Sequence, residues 1–466
     1  MKKILLSVCL VWSIAANADN KIKFYFNHPV DNSVSTGQNA VYLPYVADTI
    51  AAYIDRAKYT LDAAIYDYTI SASTVISTAV NNAYARGVQV RWIHDGDAPN
   101  TSIPTLNAGI YKLASPTTSK YGIMHNKFMI IDAGSTNPDD AVVWTGSTNW
   151  SSEQLTSDYN NVVIIQDSAL AHAYTAEFNM MWGGTGIAPD TTKSKFGPYK
   201  TDLGRHIFTV DGHTVELYFS PSDGTNSHIE DAIQSSNTDM YFGVYTFTNN
   251  TDASMIMTQY NNGVYVAGID DQYSNSYGPY KTFTAGLGSN FIVYKSSSSI
   301  YHNKFLIVDP SNPCSDPLVL TGSHNWTTSA ETLNDENTVI IHDDTAANVY
   351  YQSFYSNFTT LGGTLVKQNG CGTEGVAASN TASTQVNIYP NPAKGEVSFS
   401  YNLATAQTVS IAVTNVLGQA VAHIAEQENT TAGNHTKQCT IRQAGIYFAR
   451  FTVGAEVTTR KFVIAD

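Results

Sequence analysis

Charge is scarce in this 466-residue chain: Asp, Glu, Lys and Arg make up 14% of it. Basic charge is scarcer still, 25 Lys and Arg against 39 Asp and Glu, for a net of −14. A protein that coats nucleic acid carries a basic footprint, so that class is disfavoured, although a basic cleft inside an acidic shell stays open. There are only four cysteines, and their spacing fits no zinc motif. Beyond the N-terminal segment no apolar run is long enough to cross a bilayer, which leaves a soluble or surface-attached protein. The 43% hydrophobic content excludes a disordered chain. At roughly 150 residues per domain the length predicts about three folding units. Low charge with 29 tyrosines suits an exported, sheet-rich protein.

The N-terminus predicts a secretory signal peptide over residues 1–18. Lys2 and Lys3 form a positive start, Ile4 to Ala16 is mostly apolar, and Ala16-Asn17-Ala18 supplies a small-residue cleavage site. Cys314, Cys371 and Cys439 then remain. An exported chain can hold disulfides, and Cys314 with Cys371 is the favoured pair because Cys439 falls in a separate domain.

The chain contains a duplication. Met124-His125-Asn126-Lys127-Phe128-Met129-Ile130-Ile131-Asp132 recurs as Tyr301-His302-Asn303-Lys304-Phe305-Leu306-Ile307-Val308-Asp309. Thr145-Gly146-Ser147-Thr148-Asn149-Trp150 recurs as Thr321-Gly322-Ser323-His324-Asn325-Trp326 at almost the same offset. Gly87-Val88 matches Gly263-Val264, and Ile65-Tyr66 matches Val244-Tyr245. The repeat therefore covers whole domains, predicted at 19–200 and 201–369.

In the first copy, Leu43–Lys58 predicts a helix and Leu61–Tyr66 a buried strand. Thr74–Arg86 predicts a helix closed by Gly87, and Val88–Ile93 the next strand. The continuous apolar runs Phe128–Ile131 and Phe305–Val308 suit central strands. Strands alternating with helices imply α/β halves with sheets covered on their faces. Residues 370–384 are rich in Gly, Ala, Ser, Thr and Asn and predict a linker. Residues 385–466 show short strands and turn signals, the pattern of a small all-β sandwich. This tail is close to neutral, so the acidic excess rests on residues 19–384.

Side chains at i and i+2 of a strand share a face, so His125 projects with Lys127 and His302 with Lys304. Ser147 with Asn149, and Ser323 with Asn325, would do likewise. Each half thus offers an imidazole, an ammonium, a hydroxyl and a carboxamide, a set suited to an oxyanion such as phosphate. A packing duplication has no need to keep these polar groups twice.

On these residues the sequence resembles the phospholipase D superfamily over roughly residues 20–365. Its signature, H-x-K-x-x-x-x-D followed by G-S-x-N, is met at every defining position in both copies: His125, Lys127, Asp132, Gly146, Ser147, Asn149, and His302, Lys304, Asp309, Gly322, Ser323, Asn325. The resemblance implies two α/β halves forming one catalytic unit, and a phosphodiesterase needing no metal or other cofactor. It implies that one His attacks phosphorus and the other protonates the leaving alcohol. Lys127, Lys304, Asn149 and Asn325 would stabilise phosphoryl charge, with Ser147 and Ser323 beside them as substrate-binding groups. Asp132 and Asp309 complete the motif, more structural than chemical. By family habit His125 is the nucleophile. The family often places an acidic residue after G-S-x-N to orient a histidine. Gapless alignment of the copies puts Glu336 there in the second half and Asn160 in the first. Glu336 is accordingly expected to raise the basicity of His302, with Asn160 or Asp158 serving His125.

The tail resembles the C-terminal sorting domain of type IX secretion, in its type A form, through Ile388-Tyr389-Pro390-Asn391-Pro392, Val416-Leu417-Gly418-Gln419, Gly445-Ile446-Tyr447 and Lys461-Phe462-Val463-Ile464. This implies contact with the secretion machinery and a secreted or cell-surface location. The reading that follows is a secreted phospholipase D acting on phospholipid headgroup diesters, touching membranes only at their surface. A secreted endonuclease of the same superfamily is the alternative, disfavoured by charge. A binding protein with a degenerate site is opposed by the intact motifs. The acidic pairs Asp139-Asp140 and Asp270-Asp271 are expected as solvated loop charges rather than calcium ligands.

Overall fold

The computed structural model describes residues 20–69, 75–368, 370, 386–403, 405–415, 419–454 and 456–465. The predicted signal peptide, Cys371 and nearly all of the predicted linker lie outside the described residues. Among the described residues no helix is long and apolar enough to cross a membrane. The chain divides into two compact units, Met1–Gly372 and Thr373–Asp466.

The first unit holds two eight-stranded mixed sheets whose six inner strands share one connectivity, while the edge strand beside them differs: Val41–Tyr42 follows its neighbour and runs parallel to it, and Ile207–Val210 precedes its neighbour and runs antiparallel. In the first half the six inner strands run in the order Ile22–Phe26, Asn161–Ile165, Val142–Gly146, Lys127–Ile131, Thr60–Ile65, Gln89–His94. In the second the order is His213–Ser220, Glu336–His342, Leu318–Gly322, Lys304–Val308, Asp239–Val244, Tyr265–Asp271. The strands that follow the histidines sit mid-sheet and are buried on both faces, which is why they read as unbroken apolar runs. Phe128 and Ile130 join one core, while Met129 and Ile131 join another on the opposite face.

The outer face of the first sheet packs on the helices Val46–Asp55 and Val75–Ala85. The outer face of the second packs on Thr225–Gln234, Asn250–Asn261 and Gly278–Gly286. The inner faces share a single core, together with the helices Ser168–Trp182 and Asp344–Thr360. Tyr350, on the last of these, packs edge-on against Phe24 and Phe26 of the first sheet, and Tyr174 against Phe219 of the second. One continuous core therefore joins the halves.

The expected helix at Leu43–Lys58 is shorter, Val46–Asp55. Pro44 disfavours helical backbone at Leu43, and past the helix the Lys58 amide is bound by the Asp132 carboxylate. Asp270 and Asp271 are buried at the end of their strand rather than solvated, and Asp271 accepts the backbone amides of Tyr273 and Tyr301. Cys314 is disulfide-bonded and Cys439 is free, as expected. The amide of Gly370 donates to Ser311 O, three residues from Cys314.

The second unit is all-β. Val386–Tyr389, Glu396–Leu403 and Gly433–Thr440 form one antiparallel sheet, and Gln407–Asn415, Ala420–Thr430, Gly445–Val453 and Glu456–Ile464 form another. Phe399 of the first sheet meets Phe451 and Phe462 of the second within one core, which makes the unit a sandwich.

Candidate active site

His125 and His302 each precede the central strand of their half, and both line one cavity of about 730 Å³ at the junction of the halves. Their side chains are held across the junction. His125 Nδ1 lies 2.9 and 2.8 Å from the two carboxylate oxygens of Glu336. His302 Nδ1 lies 3.0 Å from Asn160 Oδ1. The sequence-based pairing is thereby reversed: Glu336 serves the first-half histidine, and Asn160 the second-half one. The reason is geometric. The segment after G-S-x-N enters its sheet at the edge of the cavity and faces the histidine of the opposite half, as the backbone contacts Met124 with Asp335 and His302 N with Tyr159 O show. Asp158, the other candidate partner, accepts instead from Ile300 N and Gln154 Nε2.

The same interlock recurs one residue on. Asn337 Nδ2 donates to Asn126 Oδ1 at 2.9 Å, and Asn161 Nδ2 donates to Asn303 Oδ1 at 2.8 Å. These four asparagines were not singled out from sequence, although Asn126 and Asn303 occupy the same place in both copies.

Ser147 and Ser323 are fully buried and do not line the cavity, so they are not substrate-binding groups. Ser147 Oγ donates to Asn160 Oδ1 at 2.8 Å and Ser323 Oγ to Glu336 Oε2 at 2.6 Å, fixing the histidine partners. The preceding glycines are required by the close strand approach. A Cβ on Gly146, at φ +138°, would lie 2.4 Å from Asn161 O, and one on Gly322, at φ +149°, would lie 2.1 Å from Asn337 O.

Asp132 and Asp309 are also not site groups. They lie at the far ends of their strands, roughly 20 Å from the histidines by strand rise. Both have φ of 51°, and each carboxylate accepts three consecutive backbone amides, of Lys58–Thr60 and of Asn237–Asp239. They fasten the start of the neighbouring strand.

Lys127 Nζ donates to His125 O at 2.7 Å and Lys304 Nζ to His302 O at 2.5 Å. Both lysines are buried beneath the cavity floor, 5.1 Å from the ring centroids of Tyr66 and Tyr245. Those tyrosines also pack against His125 and His302. The sequence signal for them was the Ile65-Tyr66 and Val244-Tyr245 match. Asn149 and Asn325 line the cavity, and the Oδ1 of each is buried without a hydrogen-bond partner.

Burial sets the protonation states. It depresses His125 to about 4, against the pull of Glu336. It depresses Lys127 to about 7 and holds Lys304 well below the lysine range, where the Lys127 charge adds to the effect. His302 is likewise held well below its ordinary value, by burial and then by the two lysines. Burial alone would raise Glu336, but the charge and hydrogen bond of His125, with Lys127, hold it near 2. At neutral pH Glu336 is thus an anion that only accepts, so His125 Nδ1 carries the proton and the Nε2 lone pair is free. Asn160 is oriented by Nδ2 donation to Gln154 O and Oε1, so its Oδ1 also fixes His302 with Nδ1–H. The two rings present Nε2 atoms in the same tautomer with unequal partners.

A duplicated α/β unit with twin imidazoles, lysines and carboxamides around one cavity defines the phospholipase D class of fold and site. The chain belongs to the family described as "Cardiolipin synthase, PLD-like domain", whose model matches residues 50–182 and 229–357. Residues 387–465 match the secretion system C-terminal sorting domain, so the tail is a type IX sorting module. A "Mitochondrial cardiolipin hydrolase" of Drosophila melanogaster is 32% identical over 149 residues, covering 28% of this chain and 57% of that protein. A "Phospholipase D" of Rickettsia prowazekii is 26% identical over 154 residues, 33% of this chain and 72% of that protein. The chain spans about half the length of the cardiolipin hydrolases it matches. The crystal structure of a phosphatidylserine synthase from Haemophilus influenzae Rd KW20 superimposes with a TM-score of 0.50 over 74% of this chain and 87% of that one, at 17% identity, a likeness of fold.

Proposed function

We propose that the protein is a secreted, metal-independent phosphodiesterase that hydrolyses phospholipid headgroup diesters through a phosphohistidine. The observation that carries this reading is the crossed pairing, Glu336 on His125 and Asn160 on His302, with both rings lining one cavity. His125 Nε2 attacks phosphorus, and the bond to the leaving alcohol oxygen breaks. His302 Nε2–H protonates that oxygen. His302, now neutral, takes a proton from water as the water attacks phosphorus, and the bond to His125 breaks. Glu336 stabilises the positive charge that develops on His125, a role for which an amide is weaker. The histidine with the carboxylate is therefore the nucleophile.

The acid must be charged to donate, yet burial and the lysines disfavour charge on His302 in the empty cavity. A bound phosphodiester anion reverses this by favouring protonation of His302, Lys127 and Lys304. Binding is thus coupled to proton uptake, and the acid is loaded only when substrate is present. Asn149 and Asn325 supply neutral donors through Nδ2. The sorting domain supports action outside the cell or at its surface.

The test incubates the mature protein in EDTA with vesicles of phosphatidylcholine and phosphatidylglycerol and, in parallel, plasmid DNA. Headgroup release without nicking is expected, abolished in His125→Ala and in His302→Ala. An acid-labile phosphoprotein should be trapped with His302→Ala and not with His125→Ala. Nicking without headgroup release would replace this reading by the nuclease, and turnover surviving in either variant would overturn the mechanism.

A further inference from the structure

The two rims of the cavity are equivalent segments of the duplicated halves, yet they differ in charge. Asp67 stands where the second half has Thr246, Glu153 where it has Ser329, and Asp158 where it has Asn334. All three carboxyls line the cavity, opposite Thr246 and Ser329, and its lining includes no Lys or Arg among the described residues. Two of the three carboxyls are fixed by hydrogen bonds. Asp158 Oδ1 accepts Ile300 N at 2.8 Å and Oδ2 accepts Gln154 Nε2 at 2.6 Å, while Asp67 Oδ1 accepts Thr69 Oγ1 at 2.7 Å. Burial, with repulsion from Glu153, raises both Asp67 and Asp158 above the ordinary carboxyl range. The Lys127 charge acts on Asp67 and the Lys304 charge on Asp158 from beneath the floor, but no cation stands on the wall itself among the described residues lining the cavity. Asn149 is 6% exposed and its Oδ1, like that of Asn325 in the other half, faces no donor within the protein, although the residue lines the same cavity.

The catalytic function needs none of these carboxylates, since phosphate belongs over the imidazole and lysine floor and three anions beside it oppose its binding. Their cost is removed if the ligand brings a positive charge next to the phosphate. We propose that Asp67, Glu153 and Asp158 form a cation subsite that selects phosphodiesters whose alcohol carries an amine in its positive form. This rests on the phosphodiesterase reading and adds the headgroup class to it. The floor receives the phosphate anion, the wall receives the ammonium, and the ligand is a zwitterion of matching polarity. A primary ammonium donates to the carboxylates and to Asn149 Oδ1. A quaternary ammonium uses charge alone, with the tyrosine faces of the cavity. A second negative charge is repelled there, and a glycerol alcohol brings hydrogen-bond donors but no charge to offset the carboxylates.

The test compares kcat/KM for phosphatidylethanolamine, phosphatidylcholine and phosphatidylglycerol, each at the same mole fraction in one neutral detergent micelle, with bis(4-nitrophenyl) phosphate as a soluble diester. The ammonium-bearing lipids are expected to exceed phosphatidylglycerol by at least about tenfold. Glu153→Gln and Asp67→Asn should each shrink that ratio several-fold. Glu153 is exposed, so its variant tests the wall without disturbing the core. The first two lipids separate primary from quaternary ammonium. Equal turnover of all three lipids, a preference for phosphatidylglycerol, or a ratio unchanged in both variants would overturn the subsite while leaving the phosphodiesterase intact. Failure to turn over any lipid or the soluble diester would remove the phosphodiesterase reading, and the subsite with it.

Discussion

At the scale of single residues, the site is governed by the inequality of two otherwise matching positions, Asn160 and Glu336. Each receives a serine hydroxyl and each holds Nδ1 of the opposite histidine, but only one carries charge. In Glu336→Gln the imidazolium-like state of His125 loses its counter-ion. A drop in turnover on the order of 10²-fold or more is expected, measured with a chromogenic diester. The reciprocal change, Asn160→Asp, gives His302 a carboxylate. An opposite charge in contact raises a histidine by about 1–3 units. Since the acid works protonated, the alkaline limb of the pH–rate profile should move upward in this variant. An alkaline limb that stays in place would show that His302 is not the acid.

At the scale of strands and helices, the strand after His125 and the strand after His302 were legible from their apolar runs, and the duplication located the equivalent elements. The bounds of the helix Val46–Asp55 were not, because its start depends on Pro44 and its end on the amide capture by Asp132. Nor were the histidine partners. Glu336 is 211 residues from His125, and Asn160 is 142 from His302. Internal alignment establishes which positions are equivalent, but equivalence says nothing about which half a side chain faces. Ser147 carries the motif and looks chemical in sequence; only the fold turns it into a support.

One element-level prediction concerns the end of the strand Glu336–His342. His342 is largely but not fully buried between Glu216 on the adjacent strand, at 2.8 Å, and Asp316, at 3.1 Å. Burial alone would depress it, but the charge of Asp316 and the bonds to both carboxylates raise it to about 9. A histidine raised on folding stabilises in its protonated form. That stabilisation is complete below the unfolded value of about 6.5 and is lost as pH rises through about 9. Urea unfolding of the wild type should weaken by up to about 3 kcal/mol across this window. His342→Gln should be less stable at pH 6 and respond little to further increase.

At the scale of the whole catalytic unit, the halves must stay in register for the crossed pairs to form, and a buried ion cluster beside the site ties them. Lys200, between the two repeats, bonds Glu177 on the first-half helix Ser168–Trp182 and lies 3.1 Å from Asp335 of the second half, all three essentially without exposure. Asp335 also accepts Gly197 N at 2.8 Å and directly precedes Glu336. Burial lifts Asp335 to about 7, and the Lys200 charge is what favours its ionised form. Lys200→Met removes the one cation between two buried carboxyls, for an expected loss of about 3–5 kcal/mol in urea unfolding. The remaining carboxyls escape by binding protons that the unfolded chain does not bind, so the loss should deepen as pH rises from about 5 to 8. Adding Glu177→Gln and Asp335→Asn should recover much of the stability and flatten its pH dependence. If the triple variant regains stability but not turnover, the cluster also positions Glu336 against His125; if both return, it serves the junction alone.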